Sequence, residues 1–122
     1  MIINLTQHLA TPDQISQGVR DLPEAQRKRL VELLTFNDLP TRGEIRKRAA
    51  FIADLALFDD GDDPESAMIG GAPWLMPSLS SALQARGIRP VFAFSKRMAV
   101  EKINPDGSVT KTAEFVHVGF VY

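Results

Sequence analysis

The chain has 122 residues, a formal net charge of −1, 44% hydrophobic residues and 24% charged residues. These values are ordinary for a globular protein, so we expect residues 1–122 to form a single α/β domain. The near-neutral charge argues against binding to duplex nucleic acid. The absence of cysteine excludes disulfides, zinc–thiolate sites and thiol catalysis.

No apolar run approaches the length of about 18 residues that a membrane span needs. The N-terminus, Met1–Leu5, lacks the positive region of a signal peptide and is typical of a first strand. We therefore expect a cytoplasmic protein with no membrane partner.

The first half of the chain predicts one strand followed by helices. Residues 2–5 are mostly apolar and indicate a short strand. The capping box Thr11–Gln14 begins a short helix, which we expect to end near Gly18. A second helix is predicted from about Pro23, and the capping box Thr41–Glu44 begins a third.

The middle of the chain predicts a strand, a glycine turn, a helix and a second strand. The acidic run Asp59–Glu65 is expected to be a loop, and Ala67–Ile69 and Val91–Phe94 are the two strands. A strand–helix–strand unit of this length is parallel and right-handed. The turn Gly70–Gly71 leaves backbone N–H groups uncovered, where an anion or ligand can approach the N-terminus of the following helix.

The C-terminal third predicts a β-hairpin. Its strands are Val100–Ile103 and Ser108 to about Tyr122, and Asn104–Gly107 fits a type I turn with a following bulge. Together the elements predict a Rossmann-like α/β fold, with a mostly parallel sheet, flanking helices and this hairpin at the C-terminus.

Three segments carry polar or glycine residues directly after predicted strands. If those strands are parallel neighbours, their C-terminal ends meet at one edge of the sheet, which is where ligands bind in open α/β folds. We expect ligand contacts from Asn4, Thr6, Gly70, Gly71, Trp74 and Ser95. We expect the catalytic groups to be His8, Lys96 and Arg97.

Each of these residue types suits the binding or chemistry of a small anion. A histidine can act as an acid or base near neutral pH, and lysine and arginine bind phosphate. Trp74 can stack on a base, although a tryptophan also fits a core or an interface. The glycines equally fit a tight turn without a ligand. No residue pattern matches a metal site or a catalytic triad, so we expect no metal and no cofactor.

Four segments resemble a group of small uncharacterised bacterial and prophage proteins: Ile3–His8, Met68–Pro73, Gly87–Ser95 and Asp106–Val109. The layout also resembles the small CARF-type (CRISPR-associated Rossmann-fold) ring nucleases, which are dimers that bind cyclic oligoadenylates and cleave them without metal. The resemblance implies that Lys96 and Arg97 hold phosphates and that a ribose 2′-hydroxyl of the substrate is the nucleophile.

Three functional hypotheses follow. The first is a small nucleotide-binding protein, with a cyclic oligonucleotide as the expected ligand and metal-independent phosphodiester cleavage as the expected reaction. The second is a non-enzymatic phage or prophage accessory protein that binds a host protein through Trp74, Met76 and the hairpin. The third is a nucleoside- or sugar-transferring enzyme. We expect a homodimer, because a chain this small encloses a large ligand more easily across a two-fold axis.

Overall fold

The computed structural model describes residues 1–58 and 62–122, so Asp59–Gly61 of the predicted acidic loop lie outside the described residues. The described chain contains five strands and four helices. In chain order they are β1 Ile2–Asn4, α1 Pro12–Ser16, β2 Val19–Asp21, α2 Glu24–Leu34, α3 Arg42–Leu55, β3 Ser66–Met68, α4 Met76–Ala85, β4 Arg89–Ile103 and β5 Val109–Val121.

The five strands form one sheet in the order β2-β1-β3-β4-β5. The first four are parallel, with Asn4 opposite both Asp21 and Met68, and Met68 opposite Val91. The strands predicted at residues 2–5, 67–69 and 91–94 are therefore parallel neighbours, and the predicted Rossmann-like fold class is confirmed. The strand β2 was not predicted, because three residues with one buried side chain leave no periodic pattern.

The two faces of the sheet are covered very differently. Right-handed crossovers place α2, α3 and α4 on one face, where the main core includes Ile3, Ile52 and Leu79 at 0% exposure. The opposite face carries a small cluster centred on Met68 and Val91. Its only described helix is α1, which has five residues and packs beside β2 and β5.

Local signals in the sequence explain where the helices begin and end. The Thr11 hydroxyl accepts a hydrogen bond from the backbone N–H of Gln14, and the Gln14 side-chain oxygen accepts one from the backbone N–H of Thr11, so the predicted capping box is complete. Thr41 caps α3 through the N–H of Glu44. Gly87 follows α4 with a φ of 74°, which is the left-handed conformation expected after a helix.

The C-terminal hairpin is confirmed but is longer than predicted. The predicted end of a strand at Phe94 is wrong, because β4 continues to Ile103 and pairs with β5 as far as Val109. Residues 95–103 contain no proline or glycine, so no residue in them ends the strand. Gly107 has a φ of 86° in the turn, and its N–H donates to the Asn104 carbonyl at 3.0 Å.

Beyond Val91 the strand β4 has no strand neighbour except β5, because β3 ends at Met68. We call residues 92–121 the arm. The arm extends beyond the C-terminal ends of the parallel strands, next to the edge of the sheet that those ends form. Among the described residues, no helix is both long enough and apolar enough to cross a membrane.

Candidate functional site at the carboxyl edge of the sheet

A cavity of about 560 Å³ opens at the C-terminal ends of β1 and β3. These are the strands at which the chain order of the sheet reverses, since β2 lies on one side of β1 and β3 on the other. Ligands of open α/β sheets bind at this point. The lining residues are Thr6, Gln7, His8, Leu9, Thr11, Gln14, Met68, Ile69, Gly70, Gly71, Phe92 and Ala93.

The loop that follows β1 is fixed by the side chain of Asn4. Its amide N–H₂ donates to the His8 carbonyl and to the Asp21 carboxylate, both at 2.7 Å. Its amide oxygen accepts from the Thr6 N–H at 2.9 Å and from the Thr6 hydroxyl at 2.7 Å. Asn4 is only 3% exposed and does not line the cavity, so the structure places it as the support of the loop rather than at the cavity wall.

Asp21 is a positioning residue that was not predicted from the sequence. Its Oδ1 accepts from Asn4 and also from the backbone N–H of Ala10 at 3.0 Å. The carboxylate therefore joins both ends of the segment that carries Thr6 and His8. An aspartate at the end of a strand can indicate such a role. The sequence does not predict β2, however, and so it gives no reason to place Asp21 beside Asn4.

The two glycines of the turn differ in what they require. Gly71 has a φ of 136°, which side-chain-bearing residues rarely adopt. A Cβ on Gly70 would lie 3.7 Å from the Thr6 methyl group, an ordinary contact. The backbone conformation at position 71 therefore favours glycine. At position 70 the conformation does not require glycine, and the missing side chain leaves open space at the cavity wall.

A short connection separates the glycine turn from the helix that follows it. Four residues separate Gly71 from Met76, the first residue of α4, and no side chain caps this helix. One of the four is Trp74, which meets Phe36 edge to face with ring centroids 4.6 Å apart. Trp74 is half exposed and lies outside the lining of the cavity, so the structure does not place it there with Thr6, His8, Gly70 and Gly71.

The other residues expected at the site belong to the arm. Ser95, Lys96 and Arg97 are strand residues opposite His117, Val116 and Phe115, and none lines the cavity. The reason is the continuation of β4, which carries these side chains past the sheet edge instead of into a loop above it.

Arg97 lies further along the arm than the cavity wall, in a separate pocket with Ala99, Lys111 and Ala113. Side chains alternate along a strand, so Ala93, Ser95 and Arg97 share one face of β4. The bulge beside Phe94 and Ser95 places its extra residue on β5, at Val118, and leaves this alternation intact. Four strand residues span about 13 Å, which is the distance along the arm from Ala93 at the cavity wall to Arg97.

The lining residues favour a neutral or anionic ligand. They include hydroxyl, amide and imidazole groups, but no aspartate, glutamate, lysine or arginine. The apolar part of the wall includes Phe92, which is 39% exposed. Within the described ranges, no three histidine, aspartate or glutamate side chains are grouped to hold a metal ion.

A second cavity, of about 770 Å³, lies near the opposite edge of the sheet. Although it is larger, its wall includes Asp21, Asp62, Asp63 and Glu65, with Arg20 as its cationic side chain. Carboxylates close together repel phosphate. For an anionic ligand, the cavity at the C-terminal edge is the better candidate.

All residues of this site fall within the part of the chain that matches a known family. The model of the uncharacterized protein MJ1673 family matches residues 1–121. The chain belongs to this family. No curated protein and no solved structure matches the chain. The family description assigns no activity, so a role for the cavity has to be argued from its geometry.

Proposed function

We propose that this protein binds a nucleotide in the cavity at the C-terminal edge of the sheet. The observation that carries the proposal is the position of the cavity at the point where the strand order reverses, with Thr6, His8 and the Gly70–Gly71 turn on its wall. Its volume of about 560 Å³ is typical of a small-molecule site.

The wall offers separate contacts for the parts of a nucleotide. Phe92 and Leu9 provide apolar surface for a base, and the Thr6 hydroxyl, whose proton is donated to Asn4, can accept a hydrogen bond from a sugar hydroxyl. The backbone of Gly70 and Gly71 carries no bulky side chain, so a phosphate can approach it closely. The lack of a carboxylate on the wall removes the main source of repulsion.

An oligonucleotide suits the site better than a mononucleotide. A ligand that fills the cavity and continues along the same face of the arm reaches Ser95 and then Arg97. The guanidinium of Arg97 can hold a second phosphate through two parallel hydrogen bonds. Lys96 lies on the other face of β4 at this position and provides a second positive charge nearby.

Cleavage of a cyclic oligonucleotide at this site requires no metal. His8 accepts the proton of a ribose 2′-hydroxyl, and the 2′-oxygen forms a bond to the adjacent phosphorus. The bond from phosphorus to the 5′-oxygen breaks, and that oxygen takes a proton from water. The products are a 2′,3′-cyclic phosphate and a 5′-hydroxyl, while the backbone N–H groups of the Gly70–Gly71 turn stabilise the negative charge on the phosphoryl oxygens and Arg97 holds a more distant phosphate of the same substrate.

Thermal unfolding of the purified protein with a panel of mono-, di- and cyclic oligonucleotides tests binding. A ligand at 100 times its Kd stabilises the native state by about 2.7 kcal/mol, so the unfolding temperature should rise clearly. Arg97→Ala should weaken an oligonucleotide more than a mononucleotide. Lys102→Ala, near the tip of the arm, is the matched control and should change neither. No shift with any nucleotide would overturn the proposal.

The exposed apolar side chains of the arm favour one alternative, a non-enzymatic phage or prophage accessory protein that binds a host protein. Phe115 is 76% exposed and Ile103 is 77% exposed. Large exposed apolar patches mark interaction surfaces. Capture of one host protein by the wild-type arm, without any nucleotide binding, would favour this function over the first.

A further inference from the structure

The arm exposes far more apolar surface than the rest of the molecule. Of the fifteen large hydrophobic side chains that are exposed among the described residues, eight lie in the arm and a ninth, Tyr122, directly follows it. Both faces contribute, because Phe94 and Met98 lie on one face of β4 and Ile103 lies on the other. An isolated two-stranded hairpin is marginally stable in water, so an arm of this kind gains from a partner.

The surface area of the chain supports the same conclusion. The accessible surface is 8016 Å². A compact monomer of 13.5 kDa is expected to expose about 6,500 Å². The excess is about 1,500 Å² per chain, whereas a standard protein interface takes about 800 Å² from each partner. The excess is large enough for a stable dimer.

The outer edge of β5 is open to another strand. The Asn104 N–H donates to the Ser108 carbonyl at 2.8 Å, so these two residues occupy a hydrogen-bonded position at the end of the ladder. Pairs then alternate along the ladder, and the N–H and C=O groups of Lys111, Ala113 and Phe115 point away from β4. From Val109 to His117 the strand contains no proline, and the bulge comes only at Val118.

We propose that a second copy of this chain pairs with β5 through this edge. A two-fold axis perpendicular to the sheet makes the two β5 strands antiparallel and joins the two five-stranded sheets into one of ten strands. Each copy covers the open edge of the other, which removes a strand edge that is otherwise prone to aggregation.

The charges on β5 limit where the axis can lie. An axis through Lys111 or Glu114 would place like charges directly opposite each other, which destabilises a pair of strands. The middle of the regular stretch from Val109 to His117 is Ala113, and an axis there or at Thr112 avoids both clashes. The partner is a second copy rather than a strongly charged protein, since the arm carries charges of both signs.

Single-cysteine cross-linking tests the register, because the natural chain has no cysteine. In the paired dimer the Cα atoms of the two Ala113 residues lie about 5.5 Å apart, within the range for a disulfide. The variant whose cysteine lies on the two-fold axis, either Ala113→Cys or Thr112→Cys, should therefore form disulfide-linked dimers under mild oxidation, because the two copies of a residue one position from the axis lie more than about 7 Å apart. Ala99→Cys is the matched control: Ala99 pairs with Ala113 on the inner strand, and the two copies of Ala99 lie about 14 Å apart.

Ala113→Pro tests the edge in another way. The N–H of Ala113 points outward, so proline removes a hydrogen bond to the partner but none to β4. We expect wild-type protein to run as a dimer in light-scattering chromatography and Ala113→Pro to run as a monomer with an unchanged circular dichroism spectrum. A monomeric wild type would overturn the proposal, as would cross-linking through Ala99→Cys but through neither Ala113→Cys nor Thr112→Cys.

Discussion

The strand β4 passes through two very different surroundings. At Val91, within the parallel sheet, the side chain is 2% exposed, and three residues later Phe94 is 52% exposed. The covered part packs beside α4 and completes the base of the candidate site. The arm packs against little except its own second strand. The difference indicates that the base of the sheet is stabilised within one chain, whereas the apolar surface of the arm is available to another molecule.

The largest expected effect lies in the covered part of the molecule. Leu79 is fully buried in the main core, so Leu79→Ala should lower the free energy of unfolding by about 2–5 kcal/mol. Ile103→Ala, at the exposed tip of the arm, should change it by less than about 0.5 kcal/mol. Urea unfolding of both variants measures this contrast, and equal losses would contradict it.

A smaller effect is expected from the network that fixes the loop after β1. Asn4→Ala removes four hydrogen bonds made by a buried side chain and leaves the Thr6 N–H without its acceptor, so it should cost about 1–3 kcal/mol. It should also weaken nucleotide binding, because Thr6 and His8 lose their support. Asn104→Ala removes two exposed side-chain hydrogen bonds in the turn of the arm and serves as the control. Similar losses of stability in the two variants would show that burial of Asn4 is unimportant.

The sequence predicts the covered part well because its signals are local. Capping residues Thr11 and Thr41 mark two helix starts, and short apolar runs mark β1, β3 and the start of β4. Because these strands are parallel neighbours, the same signals predict that Thr6, His8 and the glycine turn meet at one edge of the sheet. Gly107 identifies the turn of the hairpin in the same local way.

The parts that the sequence does not predict depend on distant contacts. Whether β4 ends at Phe94 or continues is decided by pairing with β5, which is more than ten residues away along the chain. That continuation moves Ser95, Lys96 and Arg97 out of the expected loop. The role of Asp21 appears only when β2 is placed beside β1.

The N-cap threonines of α1 and α3 allow a comparison in which the expected loss of stability is intermediate. Thr11→Ala and Thr41→Ala each remove the side-chain acceptor of an N-cap and should cost about 1 kcal/mol. Only Thr11 lines the candidate cavity, so only Thr11→Ala should also change the affinity for a nucleotide. Calorimetric titration of both variants with the ligand identified by thermal unfolding measures this. Equal changes in affinity would argue against the cavity as the binding site.

The smallest expected effect lies in the turn of the arm. The hydroxyl and backbone N–H of Ser108 donate to Asp106 and lower the pKa of that carboxyl below its ordinary value. Because the pKa is lowered in the native state, these bonds are fully present above the ordinary value and are lost as the pH falls through the lowered one. Ser108→Ala should raise the pKa of Asp106 in an NMR titration. The free energy of unfolding should scarcely change, since the carboxyl is fully exposed. An equal titration midpoint in the wild type and Ser108→Ala would show that the Ser108 hydroxyl does not hold the Asp106 carboxylate in solution, and that the turn is fixed instead by the backbone bonds between Asn104 and residues 107 and 108.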